Sequence, residues 1–259
     1  MPNLSSEPRG TLELIEVRIA RSDLAKMPKE TLSAFLTFGT IFNEIYMLRK
    51  LVLMSDRYAA ASTDSIPVSN AQAVQTVFFL KLMALKTKEG FRYLWRQQKK
   101  PWFIEVFKEI PPDSISQYDA LKAYFDNKEN PISLVRDASG GHYDDKQPLD
   151  VGNLGDEFET RIYLSKEVGN SVFFASEELL FTKLMKEVYP ELDLRAAFDL
   201  FFTELNLRSK ELCSILHDCI SEMTKRIWDA PPKQQSNVFV KFPKISETVL
   251  PYFVNVRET

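Results

Sequence analysis

Glycine, cysteine and histidine are all scarce in this chain, and each scarcity removes a class of chemistry. Eight glycines among 259 residues form no glycine-rich phosphate-binding loop. Two cysteines, Cys213 and Cys219, supply no disulfide framework. Only two histidines occur, His142 and His217, and neither belongs to a His-Glu-x-x-His pattern; no nucleophile elbow is present either. Cys213 and His217 share a helix face, but Cys219 lies about 240° round the helix from Cys213 at ~100° per residue. A three-ligand site on one helix therefore fails, and these three read as core or surface residues. Asp144, Asp145, Asp150 and Asp156 match no calcium-loop spacing and read as a solvated acidic loop. No metal and no cofactor are expected.

Long apolar runs are missing too. Nothing approaches the roughly eighteen apolar residues a membrane span needs, and the first residues carry no apolar signal core, so the cytoplasm is the expected compartment. Charge of one sign is also lacking: 33 Lys and Arg against 36 Asp and Glu give a formal net charge of −3. That balance offers no global attraction to nucleic acid or to an anionic membrane.

What the chain has in quantity is aromatic and aliphatic mass, with 19 Phe and 9 Tyr in a 44% hydrophobic composition. Few glycines with long periodic stretches predict a mainly α protein, a helical bundle of long antiparallel helices with a small β-hairpin insertion. Three segments follow: an irregular N-terminal segment (1–29), a helical domain (30–229) and an extended C-terminal tail (230–259). Within the first, Leu12 to Ile19 alternates like a strand; within the last, Val238, Val240 and Phe242 do the same. Helices are predicted from Glu30 to about Arg57, and from an N-cap at Ser69 to about Lys99 with Val74, Phe78, Leu82 and Leu85 as its apolar seam. Pro101 and Pro111-Pro112 frame a short aromatic piece, and Asp113 caps a helix reaching Phe125. Residues 140–157 are loop-like, Phe158–Leu164 and Ser171–Phe174 suggest the hairpin, and helices resume at Glu177–Tyr189. The last and longest runs from beyond Pro190 to near Trp228, on the stripe Leu194, Phe198, Phe201, Leu205, Leu212, Ile215, Cys219, Met223.

The most informative stretch is Ile132-Ser133-Leu134-Val135-Arg136-Asp137-Ala138-Ser139-Gly140-Gly141-His142-Tyr143-Asp144. An apolar run delivers an arginine, which is always charged and grips phosphate through a planar fork. Six positions on stands a histidine, the side chain that titrates unaided near neutral pH. This arrangement of Arg136, Asp137 and His142, with Tyr143-Asp144 behind it, resembles the motif of the HEPN superfamily (higher eukaryotes and prokaryotes nucleotide-binding domain). Phe42-Asn43-Glu44-Ile45, Lys88-Glu89-Gly90-Phe91 and Gly169 to Ser176 are similar to patterns flanking that motif in bacterial members, so the resemblance covers roughly residues 30–229.

The resemblance implies a helical bundle that dimerises and brings two Arg/His motifs together. It also implies metal-independent endoribonuclease activity, in a toxin or phage-defence effector, with an antitoxin or regulatory protein as a possible partner. In that reading His142 performs acid/base chemistry, Arg136 stabilises phosphate charge and Asp137 orients. The alternative is a non-catalytic HEPN-like module that binds RNA or a nucleotide, or dimerises; a blander reading makes the motif a coincidence in a structural helical protein. Residues 126–160 hold nine acids against three cations, so RNA needs a positive field from elsewhere. The basic stretch Lys86 to Lys100 is its best source, with Lys88, Arg92 and Arg96 as candidate RNA contacts among Phe91, Tyr93, Trp95 and Trp102. The plainer reading of that stretch is a solvated helix face whose aromatics belong to the core.

Overall fold

The computed structural model describes residues 10–61, 65–139, 159–227, 235–242, 248 and 250–253. They build a mainly α-helical bundle. β1 (Gly10–Val17) and α1 (Arg21–Leu24) precede the first long helix, α2 (Lys29–Ala61), and the second, α3 (Ile66–Gln97). Three shorter helices follow, α4 (Pro101–Glu109), α5 (Pro112–Asp126) and α6 (Pro131–Ser139). α7 (Phe174–Val188), the longest helix α8 (Leu194–Ile227) and β2 (Gln235–Phe242) complete the described chain.

Prolines start several of these helices. Pro101, Pro112 and Pro131 each open a helix, where the missing N–H is one the first turn leaves unpaired anyway. The aromatic piece expected to be framed by prolines is therefore a helix, α4. Ser65, in an extended conformation, precedes α3 four residues before the expected cap at Ser69, and Pro67 sits in the first turn. Pro111, not Asp113, is the residue before α5, and Asp113 instead places its charge in the first turn, where the helix dipole favours an anion.

α2 runs antiparallel to α3 and to α8. Glu30 meets Lys100 and Glu44 meets Lys86, while Arg49 donates to Asn206 and the Phe42 ring lies 6.2 Å from that of His217. Along these three helices run two core clusters. In the first, Phe38, Ile45, Phe91, Leu94 and Leu212 pack with Phe103 of α4 and Leu121 of α5. In the second, Val52, Leu80, Met83, Phe201 and Leu205 pack with Ile132 and Val135 of α6 and Met185 of α7. Gly90 lets α3 close on both neighbours: a Cβ there would lie 2.7 Å from Ile41 Cγ2 and 3.1 Å from a Leu212 methyl.

The expected seam of α3 is displaced. Phe78 is 53% exposed, and the fully packed line is Val77, Leu80, Ala84, Thr87, Phe91 and Leu94. α3 is apolar round much of its circumference, so spacing alone does not select which face turns inward. Leu194, first in the α8 stripe, is likewise exposed, whereas Phe201, Leu205, Leu212, Ile215 and Cys219 are buried. The hairpin of the 158–174 region closes on one antiparallel bridge, Tyr163 with Val172, around a 3-10 turn at Val168–Asn170. A second pairing joins distant segments: β1 and β2 form an antiparallel ribbon from Gly10↔Phe242 to Val17↔Gln235. The first and last segments thus hold regular structure in common. Among the described residues, no helix is long and apolar enough to cross a membrane.

Candidate functional site

α6 is short and built to hold one end inside and the other out. Asn130, 2% exposed, accepts a hydrogen bond from the Ser133 amide at 2.8 Å and so caps the first turn. Ile132 and Val135, three apart on one face, are completely buried in the second core cluster. The next two residues, Arg136 and Asp137, therefore emerge at the surface in the last turn, beside Lys88 and Glu89 of α3.

There they form a compact charge network. Arg136 donates from Nη1 to Asp137 Oδ1 and from Nη2 to Glu89 Oε1, each at 2.7 Å. Lys88 Nζ lies 3.4 Å from both Asp137 oxygens, and Arg92 Nη1 lies 3.9 Å from Glu89 Oε1. Three cations thus face two carboxylates. The hydrogen bond to Asp137 raises the Arg136 pKa most, against a smaller opposing effect of burial. Burial pushes the Asp137 carboxyl up, but the Arg136 hydrogen bond and the Lys88 charge outweigh it and hold the group below its usual range. Arg136 Nε is buried without a hydrogen-bond partner among the described residues.

The arrangement has a clear chemical meaning. A guanidinium carries five N–H donors, and two are engaged here by carboxylates. Incoming phosphate oxygens would add to or replace Glu89 and Asp137 on the same fork. Sequence reading paired Arg136 with its neighbour Asp137 but missed Glu89, 47 positions away; its only signal was the Lys88-Glu89-Gly90-Phe91 pattern. His142 lies outside the described residues, as do Gly140, Gly141, Tyr143, Asp144, Asp145, Asp150, Asp156 and Phe158. The structure therefore joins Arg136, Asp137 and Lys88, and leaves Arg92 at the network's edge. Arg96 lies a further turn along α3, its Nε donating to the Arg92 carbonyl and its guanidinium 5.8 Å from the centre of the Tyr93 ring.

The aromatics of the basic stretch divide. Phe91 is buried against Phe125, and Tyr93 and Trp102 pack half-buried on the core, as the plainer reading expects. Trp95 does not: its residue is 41% exposed. Cys213 and Cys219 are fully buried, with burial pushing each thiol up to about 12, while His217 faces solvent beside Asp218. Among the described residues, no group of three His, Cys, Asp or Glu could hold a metal ion. A surface cleft of about 320 Å³ lies between the start of α2 and the end of α3, lined by Lys29, Glu30, Ser33, Tyr93 and Lys100, away from Arg136.

No protein-family model, curated protein or solved structure matches this chain.

Proposed function

We propose that this chain is a HEPN-like, metal-independent endoribonuclease that cuts RNA by attack of a ribose 2′-OH on the adjacent phosphorus. The observation that carries the reading is the placement of Arg136. Its guanidinium stands at the exposed end of a helix anchored from below, among the cations Lys88 and Arg92, six residues before His142. His142 stands three positions beyond Ser139, the end of α6, a chain reach of at most about 11 Å.

In this mechanism an imidazole takes the 2′-OH proton as the 2′-oxygen attacks. Arg136 stabilises the charge on the non-bridging oxygens of the phosphorane. A protonated imidazole then gives its proton to the departing 5′-oxygen, leaving a 2′,3′-cyclic phosphate and a 5′-hydroxyl. A homodimer of facing motifs supplies separate base and acid. Asp137 is a positioning residue, acting through Arg136, and Lys88, Arg92 and Arg96 bring the backbone to the site. The setting is cytoplasmic, as a toxin or phage-defence effector held in check by an antitoxin or regulatory protein.

The test is incubation of the purified protein with total RNA and excess chelator, beside His142→Ala and Arg136→Ala. Cleavage leaving cyclic phosphate ends, and lost in both variants, is the expected result. Undiminished cutting by His142→Ala would sink the mechanism. One observation favours a second reading, a non-catalytic RNA-binding or dimerisation module: the Arg136 fork is already engaged by Glu89 and Asp137. Binding of RNA without cleavage by the parent protein would select it.

A further inference from the structure

Along α3, Lys88, Arg92, Trp95 and Arg96 fall within an arc of about 100°, at ~100° per residue, and Lys99 follows in the turn just past the helix end. Leu94 and Gln97 occupy the opposite, buried side, and Phe91 is buried at the flank. On the helix this outer stripe runs roughly 12 Å, from Lys88 to Arg96 at ~1.5 Å per residue, and it begins at the Arg136 network, where Lys88 meets Asp137. Its charge changes character along its length. Near the network, Lys88 and Arg92 have Asp137 and Glu89 as counter-ions. Farther along, Arg96 and Lys99 form no ion pair among the described residues, and the Arg92 side chain is 61% exposed. Trp95 sits between these cations with its large ring partly in water, although every other α3 aromatic after Phe79 is at least half-buried in the core. An exposed indole flanked by arginines is the combination that stacks a nucleobase while the cations follow the phosphates.

We infer that this face of α3, with the turn that follows it, is a docking track for single-stranded RNA, with Trp95 as its base-stacking platform and Arg92, Arg96 and Lys99 as its phosphate contacts. The inference rests on the RNA-directed reading of the site above and specifies the strandedness of what enters it. A duplex hides the faces of its bases inside the stack, so it offers Trp95 nothing but backbone. A single strand exposes them. At a stacked spacing of about 3.4 Å, the track accommodates about four nucleotides leading away from Arg136. Stacking is indifferent to the sugar, so single-stranded DNA of the same sequence binds comparably, and discrimination for RNA resides in the 2′-OH chemistry at Arg136 and His142.

The experiment measures binding of a labelled twelve-nucleotide single-stranded RNA, its perfect duplex and the matching single-stranded DNA to the full chain carrying His142→Ala. Cleavage by the unsubstituted protein is followed in parallel. Single strands are expected to bind at least tenfold more tightly than the duplex. Trp95→Ala, checked for native thermal unfolding, should weaken single-strand binding roughly tenfold, and Trp95→Phe should restore most of it. Arg96→Ala and Lys99→Ala should each flatten the dependence of log affinity on log salt by about 0.7. Equal binding of duplex and single strand, or unchanged affinity in Trp95→Ala, overturns the track even if RNA is cut. Track-dependent binding without cleavage by the unsubstituted protein upholds the track and removes the nuclease reading.

Discussion

At Arg136 the guanidinium meets two carboxylates, and any phosphate reaching it competes with them on electrostatic terms. Asp137 can be tested separately, because its carboxyl is held below the ordinary range in the folded chain. A depressed folded pKa contributes stability above the unfolded value, near 3.9, and loses it as pH falls through the folded value. Asp137→Asn should therefore leave the unfolding temperature less sensitive to acid below about pH 4 than in the parent. Thermal unfolding between pH 2.5 and 6 reads this directly, and parallel acid limbs would contradict it. Gly90 makes a second prediction at this scale. Alanine there gains about 1 kcal/mol of helix propensity but meets Ile41 Cγ2 at 2.7 Å, so the two effects largely offset. Leucine adds bulk with no such offset and should cost about 1–3 kcal/mol in urea denaturation. In sequence Gly90 stood only within the Lys88-Glu89-Gly90-Phe91 pattern; its reason lay on α2 and α8, which no local pattern names.

Elements differ in how much of their placement can be read from spacing. α8 declared itself, because Phe201, Leu205, Leu212 and Cys219 step by four and then by sevens and all are buried. α3 declared its existence but not its inward face, since Phe78 and Val77 are both apolar and adjacent. α4 was obscured because proline both ends and begins helices, and Pro101 does the second. Of α6, the apolar run and Arg136 stood out in sequence, but its being a helix from Pro131 did not, and Glu89 arrived from another helix through tertiary packing. The cap makes α6 testable as an element. Asn130→Ala removes the acceptor for the Ser133 amide and the donor to the Asn127 carbonyl. The expected cost is about 1–2 kcal/mol by chemical denaturation. Arg136 sits at the other end of the same two-and-a-half turns, so any RNA affinity should fall with it.

For the whole molecule, the bundle and the ribbon stand on different footings. α2, α3 and α8 share two buried clusters, so their central amides can open only with much of the core. The β1–β2 ribbon has two strands, with Leu14, Val17, Phe239 and Val240 substantially exposed. Two strands alone are marginal in water. Amide hydrogen exchange should therefore be faster in 10–17 and 235–242 than in the middle of α3 or α8, and equal protection would show the ribbon to be braced by something else. The period-two alternation of each strand was visible in sequence. Their partnership was not, because alternation says which face is apolar and nothing about a mate more than 200 residues away.

That partnership has a consequence for anyone who trims the chain. Strand residues 10–17 and 235–242 complete one another's backbone hydrogen bonding, so removing either run orphans the remaining one. A deletion at one terminus is thereby a lesion at both, and a phenotype mapped to the first residues belongs equally to the last.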